Sequence, residues 1–434
     1  MKISLIQPSR NNLKYLKWSY KSIRKNQGNH EVEICVADDF SDKDNTWDWC
    51  QMMMREDPLF KAIRNEGPTR LGHTILYDKL VNEAATSDIC MIWHADMYLC
   101  PGALDAIEKH MMPLEPGYPV SGLPVERILN EKTIVSLTRI EPPLHPPGPE
   151  KVIQDCGIEP EEFDESKLLS KVKELKELHE NDEGITEGIF APWAFWKKDF
   201  QEIGGHDPLY APQSKEDSDI FNRFQLNGIK FVQTWEGFVY HMTCRGSRFA
   251  DGATRNPDGQ VFMKNRETDE WLTQNQKATR NFIRKWGHFV KHDSYLKPII
   301  PPKYNIGFIV HNCNKQLLYA LEPWCSNIYL TMPNPSEASS YILEEQKNTK
   351  FDLIKRVRPM SEEKYNNILI EFDASALNEN NFNHVICDLS EILGDSGEIG
   401  EFELDIFNIK VKSLKKYENE LININGKKPY MEVA

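Results

Sequence analysis

Three short apolar runs in the first hundred residues each stop at side chains that can do chemistry, and the segments between them carry helical periodicity. Residues 3–7 form one such run, followed by Pro8 and a helical pattern over about 13–25 that Asn11 or Asn12 can cap. Residues 31–37 form the second and end in Asp38 and Asp39; residues 89–93 form the third and end in His94, Ala95 and Asp96. Alternation between periods of 2 and 3.6 is the pattern of βαβ units feeding a mostly parallel sheet, so the expected fold class is α/β. Ligands of such sheets bind beyond the carboxyl ends of the strands, and all three strand ends therefore point to one crevice.

With 434 residues the chain exceeds what one hydrophobic core usually supports, and two domains are expected. Residues 142–149 (PPLHPPGP) can continue neither a helix nor a central strand and open a departure from the sheet pattern. An acidic amphipathic helix follows over about 159–183, with Leu168, Val172, Leu175 and His179 at helical spacing. Together they read as an acidic helical insertion over about 142–185, serving as a flank cover, a lid or a partner-binding arm. The sheet pattern resumes near 188–195, a helix is expected over about 218–227, and a strand at 230–233 and another ending at His241 close the domain near residue 300. The proline-rich segment 296–304 reads as a linker. Beyond it, strands at 306–310, 328–331 and 368–372 and helices near 335–347 and 382–393 suggest a smaller α+β accessory domain over 305–434.

Composition narrows the function classes. Hydrophobic residues at 40% and charged residues at 27% are ordinary globular usage. No run approaches the roughly 20 apolar residues needed to span a bilayer, and the first residues hold too short an apolar run for a signal peptide. The nine cysteines are odd in number and never spaced as CxxC, so they read as reduced packing thiols of a cytoplasmic protein. A net charge of -14 opposes whole-surface affinity for nucleic acid or anionic membrane. Residues 241–300 nevertheless carry 11 Lys or Arg against 6 Asp or Glu, a local +5 interleaved with aromatic residues.

Moving a sugar off a nucleoside diphosphate needs a grip on the base, a way to neutralise the departing diphosphate, and a base for the acceptor hydroxyl. Asp38 and Asp39 can accept the N–H of a uracil-like base or a ribose hydroxyl, although Asp is also a common turn residue. Asp96 ends an otherwise apolar strand, where a carboxylate can hold Mg²⁺ or Mn²⁺. His94 lies two residues earlier and His241 ends a later strand; imidazole plus carboxylate favours Mn²⁺ over Mg²⁺. Glu216 and Asp217 open a predicted helix after the Gly/Pro-rich loop 204–215, as caps or as the catalytic base that takes the acceptor proton.

These pieces in this order resemble the family-two glycosyltransferases over about residues 1–245, the insertion excepted. Pro8, Ser9, Arg10 and Asn11 match the family's P-x-x-N element. Val36 to Ser41 match its V-x-D-D-x-S element, with Asp42 after it. AATSDICMIWHAD (84–96) resembles the segment leading into D-x-D, and GGHDPLYAPQSKEDSDIFNRFQLNGIKF (204–231) resembles G-G-F-D followed by E-D-x-D and R-x-x-x-x-G. The resemblance implies a nucleotide-sugar-binding domain of the GT-A type with a mixed, mostly parallel sheet. It implies that Asp38 or Asp39 binds the base, that Asp96 and His241 hold the metal, and that Asp217 deprotonates the acceptor in a single displacement with inversion. Here His94 replaces the first Asp of D-x-D, and His206 replaces the Phe of G-G-F-D. The family's upstream Arg-Asn falls on Asp78 and Lys79, leaving Lys79 or Arg70 to contact the diphosphate.

The expected donor-side residues are thus Pro8, Asn11, Asp38, Asp39, Arg70, Lys79 and His94, with Trp193, Arg245 and Arg248 as candidates for the acceptor side. The leading expectation is an inverting, metal-dependent transferase that moves a sugar from a UDP-sugar to a saccharide. Two alternatives remain: an acceptor that is a hydroxymethylated base of viral DNA, motivated by the basic aromatic stretch, and a non-catalytic carbohydrate-binding or assembly protein, motivated by His94.

Overall fold

The computed structural model describes residues 1–112, 131–180, 190–245, 252–263, 268–331 and 335–425. The chain divides into two compact units: residues 1–212, 228–268 and 292–298 in the first, and residues 213–227, 269–291 and 299–434 in the second. The division is not a single cut, since two segments of the N-terminal part belong to the second unit. No helix among the described residues is long and apolar enough to cross a membrane. None of the nine cysteines is in a disulfide, and all but Cys244 are buried.

The first unit is built on β1 (Lys2–Ser9), α1 (Leu13–Asn26), β2 (Glu31–Asp38), α2 (Thr46–Glu56), β3 (Phe60–Arg64), α3 (His73–Lys79), β4 (Ile89–Ile92) and β5 (Met97–Leu99). It continues with α4 (Ala103–Met111), β6 (Thr133–Glu141), β7 (Lys151–Ile153), α5 (Glu165–Leu178), β8 (Trp193–Trp196), α6 (Lys197–Glu202) and β9 (Lys230–His241). The sheet runs β3-β2-β1-β4-β8-β6-β9-β5, with β7 beside β6. β1, β2 and β4 pair in parallel as the sequence pattern requires, with β3, which that pattern did not indicate, parallel beside β2; β8 is antiparallel to both neighbours, and β6 and β9 are parallel. The Ser4↔Glu33 register puts both side chains on one face, where Glu33 accepts from the Ser4 hydroxyl at 2.5 Å and pairs with Lys61 Nζ at 2.7 Å. Burial works against this carboxylate, but Lys61, Ser4 and Thr86 together bring it down to about 2. On the opposite face Trp93 Nε1 donates to Ser19 Oγ of α1 at 2.8 Å.

Local sequence explains two departures from expectation. The N-cap of α1 is Asn12, which makes no side-chain cap; Asp44 Oδ2 instead accepts from Leu13 N at 2.9 Å. The segments expected as two strands before His241 are one, β9, in which the register to β6 slips from Leu137↔Thr234 to Thr138↔Phe238. The three skipped residues end in Gly237, where a Cβ would lie 3.0 Å from Ala106 Cβ and 2.6 Å from Leu137, so only glycine lets α4 approach this closely. In the insertion, α5 is capped by Asp164, which accepts from Lys167 N, and buries Leu168, Val172 and Leu175 as the spacing indicates. These pack with Tyr98, Cys100, Phe238 and Tyr240, while His179 stacks on Trp235 with ring centroids 4.0 Å apart. The insertion also returns to the sheet, because β7 pairs with the end of β6.

The second unit holds α7 (Glu216–Leu226) and α8 (Asp269–Trp286), while β10 (Ala253–Arg255) and β11 (Val261–Met263) form a small antiparallel pair in the first. Its sheet combines β12 (Ile306–His311), β13 (Asn327–Leu330), β14 (Val357–Pro359), β15 (Ile368–Asp373), β16 (Gly400–Leu404) and β17 (Phe407–Val411) in the order β14-β13-β12-β15-β17-β16. Four strands are parallel and the β16–β17 hairpin adds antiparallel to the edge. Its core also contains a dry ionic network. Arg284 pairs with Glu322 at 2.7 Å and Glu345 at 2.8 Å, all with 0% side-chain exposure, and Arg356 also binds Glu322. Lys285 pairs with Asp219 of α7 at 2.6 Å, and Trp286 Nε1 donates to the same carboxylate at 2.9 Å.

Removing one partner of a buried pair leaves the others charged and unpaired, which typically costs 3–5 kcal/mol. Glu322→Gln is therefore expected to destabilise the second unit by about 3 kcal/mol or more in chemical denaturation; a change below about 1 kcal/mol would mean the network is dispensable.

Candidate metal and donor site

The carboxyl ends of β4, β6 and β9 meet at one cluster. His94, Asp96 and His241 each offer a ligand atom, and these atoms all lie within 4.8 Å of one another. His94 and Asp96 sit in the tight connection from β4 to β5, whose Met97 N donates to His94 O at 3.2 Å. Met97 is the register partner of His241 across β5 and β9, which carries the histidine to the same level. His241 Nε2 lies 3.4 Å from Asp96 Oδ1, and its Nδ1 lies 2.8 Å from Glu141 Oε1 at the end of β6. Glu141 in turn faces Arg139 at 3.3 Å and Lys151 at 3.5 Å, and Arg139 also pairs with Glu150 at 3.1 Å.

The electrostatics follow from this packing. Burial and the charge of His241 push the His94 imidazole down to about 3, so it is neutral and free to ligate. Burial also opposes a charged His241, but Asp96 and Glu141 outweigh it and hold that imidazole up to about 9. Burial likewise works against ionised Asp96 and Glu141; His241 keeps both below the usual carboxylate range, helped at Glu141 by Arg139 and Lys151. Two imidazoles and one carboxylate form a donor set that suits a first-row divalent ion, so the residues present fit a metal.

On the other side of the sheet, Asp38 and Asp39 end β2. Asp38 is buried and accepts from the Ser41 hydroxyl and from Ser41 N at 3.2 Å, with Arg64 Nε at 3.3 Å; burial raises its carboxyl above the ordinary value. Asp39 accepts from Leu71 N and Gly72 N at 3.0 Å each and from Asn65 Nδ2 at 2.8 Å, with Arg70 Nε 3.7 Å away. Both carboxylates thus shape the loops that line the strand ends. Asn11, in the left-handed region at φ 52, ties the β1 and β2 exits together by accepting from Asp42 N at 2.9 Å and donating to Asp42 Oδ1 at 2.9 Å. Pro8 is the penultimate residue of β1, opposite Ala37, and Lys79 is exposed at the end of α3. Asp78, beside it, accepts from His206 N at 3.0 Å and pairs with His206 Nδ1 at 2.8 Å. Gly205 (φ +71) allows this approach, since a Cβ there would lie 2.3 Å from Asp78 Oδ2. The His that replaces Phe in the glycine loop is therefore the loop's anchor.

Two acceptor-side expectations need correction. Trp193 is 1% exposed within β8, packed on Phe195 at 4.9 Å, and is a core side chain with no face for a sugar. Arg245 is buried and spends its NH1 on Ala253 O at 2.7 Å and Glu159 at 3.1 Å, which makes it an internal tie. Arg248 lies outside the described residues. Glu216 and Asp217 fall in the second unit, in the first turn of α7; Glu216 is buried and Asp217 exposed. Residues 214 and 215, just before them, both have positive φ (85 and 69), a strained entry of the kind found at functional sites.

Sequence reasoning missed Glu141, Arg139 and Lys151. The signal was the one that picked out Asp96, a carboxylate ending an apolar strand; at Glu141 the proline-rich run that follows masked it.

Residues 4–204 match the family model for Glycosyl transferase family 2. No curated protein sequence matches the chain. Among solved structures, similarity extends to GalNAc-T7 with UDP, GalNAc and Mn²⁺ at 14% identity and a TM-score of 0.39, covering 55% of this chain and 43% of that one. It also extends to S. aureus TarS 1–349 at 14% identity and a TM-score of 0.35, covering 56% and 60%. A longer S. aureus TarS structure matches at 13% identity and a TM-score of 0.37, covering 56% and 37%. The chain thus spans less than two thirds of each of these structures.

For the metal-free protein, the raised His241 value makes a signed prediction. Its folded value of about 9 exceeds its ordinary 6.5, so the stabilisation is complete below pH 6.5 and is lost as pH rises through 9. With chelator present, the stability advantage of wild type over His241→Gln should shrink by about 1–3 kcal/mol between these limits; a pH-independent difference would contradict the assignment.

Proposed function

We propose that this chain, whose residues 4–204 match the family model for Glycosyl transferase family 2, transfers a sugar from a nucleoside-diphosphate sugar to a hydroxyl acceptor with the help of a divalent ion. The observation that carries this reading is the convergence of His94, Asp96 and His241 at the strand ends of the first unit. A divalent ion bound there supplies positive charge against the departing diphosphate. Imidazole ligation favours Mn²⁺ over Mg²⁺.

In this reading the chain's own residues divide the work. Asp39, with Asp38 behind it, orders the loops around the base, with UDP-sugars favoured; Pro8 and Asn11 hold the strand exit that the nucleotide contacts; and Arg70 or Lys79 faces the diphosphate. Asp217, exposed in the first turn of α7 with Glu216 beside it, takes the proton of the acceptor hydroxyl, consistent with a single displacement and inversion. A saccharide is the favoured acceptor.

The DNA-acceptor reading stands as the alternative, with less of its basic stretch open to phosphate than the sequence suggests. Among the described residues of the stretch, Arg255 is paired with Asp155 and Glu162, Arg280 and Arg284 with Glu345, Lys285 with Asp219, and Lys291 with Asp388 and Glu391; Arg248, Lys264 and Arg266 lie outside the described residues. Phosphate contacts need cations free to release counterions.

The test is a panel of nucleotide sugars incubated with Mn²⁺ and scored for nucleoside diphosphate release, with and without chelator, for wild type and Asp217→Asn. Metal-dependent release from one UDP-sugar is expected, falling by about 10²-fold or more in the variant while donor binding persists. No release and no metal-dependent binding for any donor would favour the non-catalytic reading.

A further inference from the structure

We infer that Glu141 is a positioning residue for the metal centre, fixing His241 so that Nε2 is the ring nitrogen that faces the cluster with His94 and Asp96. This rests on the reading of His94, Asp96 and His241 as a divalent-metal site. β6 and β9 are parallel, and the register Ile140↔Tyr240 carries Glu141 to the level of His241. That register exists only because β9 skips Trp235, Glu236 and Gly237; without the slip the Leu137↔Thr234 pairing would set Phe238 opposite Glu141. The bond from His241 Nδ1 to Glu141 Oε1 is 2.8 Å, and Glu141 is 1% exposed.

A neutral imidazole carries one N–H, and a carboxylate acceptor at Nδ1 keeps the hydrogen there. The opposite nitrogen is then the ligand atom, and it is the one that lies 3.4 Å from Asp96 Oδ1. A carboxylate behind a ligating imidazole also raises its basicity, and loss of such a partner typically costs 10–100-fold in metal affinity. The rival role for Glu141 is charge balance for Arg139 and Lys151. Those two cations already share Glu150, at 3.1 and 3.5 Å, whereas Glu141 alone of the two carboxylates reaches the imidazole. Arg139 and Lys151 therefore serve to hold Glu141 in place, and β7 of the insertion supplies the lysine.

The experiment is a Mn²⁺ titration of the metal-free protein, followed by the electron paramagnetic resonance of free Mn²⁺, for wild type, Glu141→Gln and Glu150→Gln. Wild type is expected to bind one ion, Glu141→Gln to bind it 10–100-fold more weakly, and Glu150→Gln to retain wild-type affinity whatever its melting temperature. Equal affinity in wild type and Glu141→Gln overturns the inference and leaves the metal site standing; no binding by wild type overturns the metal site and the inference with it. Should Glu141→Gln fail to fold, Glu141→Asp keeps the charge for Arg139 and Lys151 but withdraws it from Nδ1, and must show the same loss.

Discussion

His241 is gripped from both sides, with Asp96 on one ring nitrogen and Glu141 on the other, and much of the first unit is arranged around that grip. Each of its three residues ends or follows a different strand, so the contact exists only if the strand order β4-β8-β6-β9-β5 and its registers are correct. The three-residue slip in β9, opened by Gly237, sets the level of the histidine. The insertion braces the opposite end, because β7 delivers Lys151 to Glu141 and α5 packs on the same strands. Charges this deeply placed are tolerable because each faces an opposite charge within hydrogen-bonding range.

The second unit solves a similar problem without a ligand. Its core buries Arg284, Glu322, Glu345 and Arg356 together, with Tyr341 donating to Glu322 at 2.8 Å. Such a network gives little net stability over apolar packing, yet it punishes any arrangement that leaves one member unpaired. The same logic ties α7 to α8 through Asp219, Lys285 and Trp286, leaving Asp217 exposed one turn-step away. Of the acidic residues opening α7, Asp219 is buried as an anchor and Asp217 is exposed.

Much of this was legible in the sequence, and the reasons differ by residue. β1, β2, β4 and the first unit's α/β class follow from periodicity, because buried parallel strands are short apolar runs with polar ends; β3, half-buried and carrying Lys61 and Arg64, gave no such run. Asp96, His94 and His241 stand out because a ligand-type side chain at an apolar strand end has few structural excuses. Glu141 carried the same signal but is followed by PPLHPPGP, which reads as the start of a loop, and pairing between strands a hundred residues apart has no sequence signature. β14, β16 and β17 were invisible for lack of length or of a continuous apolar run. Arg245 stood as an acceptor-side candidate because sequence does not tell a solvated arginine from one buried against glutamate. Trp193 looked available for stacking for the same reason, and its burial depends on β8 lying between β4 and β6.

The central claim is that one divalent ion sits among His94, Asp96 and His241 at the donor diphosphate. It is tested most directly by a crystal grown with Mn²⁺ and UDP, with anomalous diffraction recorded at the manganese edge. The account predicts a single anomalous peak within ligating distance of Asp96 and His241 and in contact with the diphosphate. Bound UDP with no peak there, or with the peak elsewhere, would contradict it.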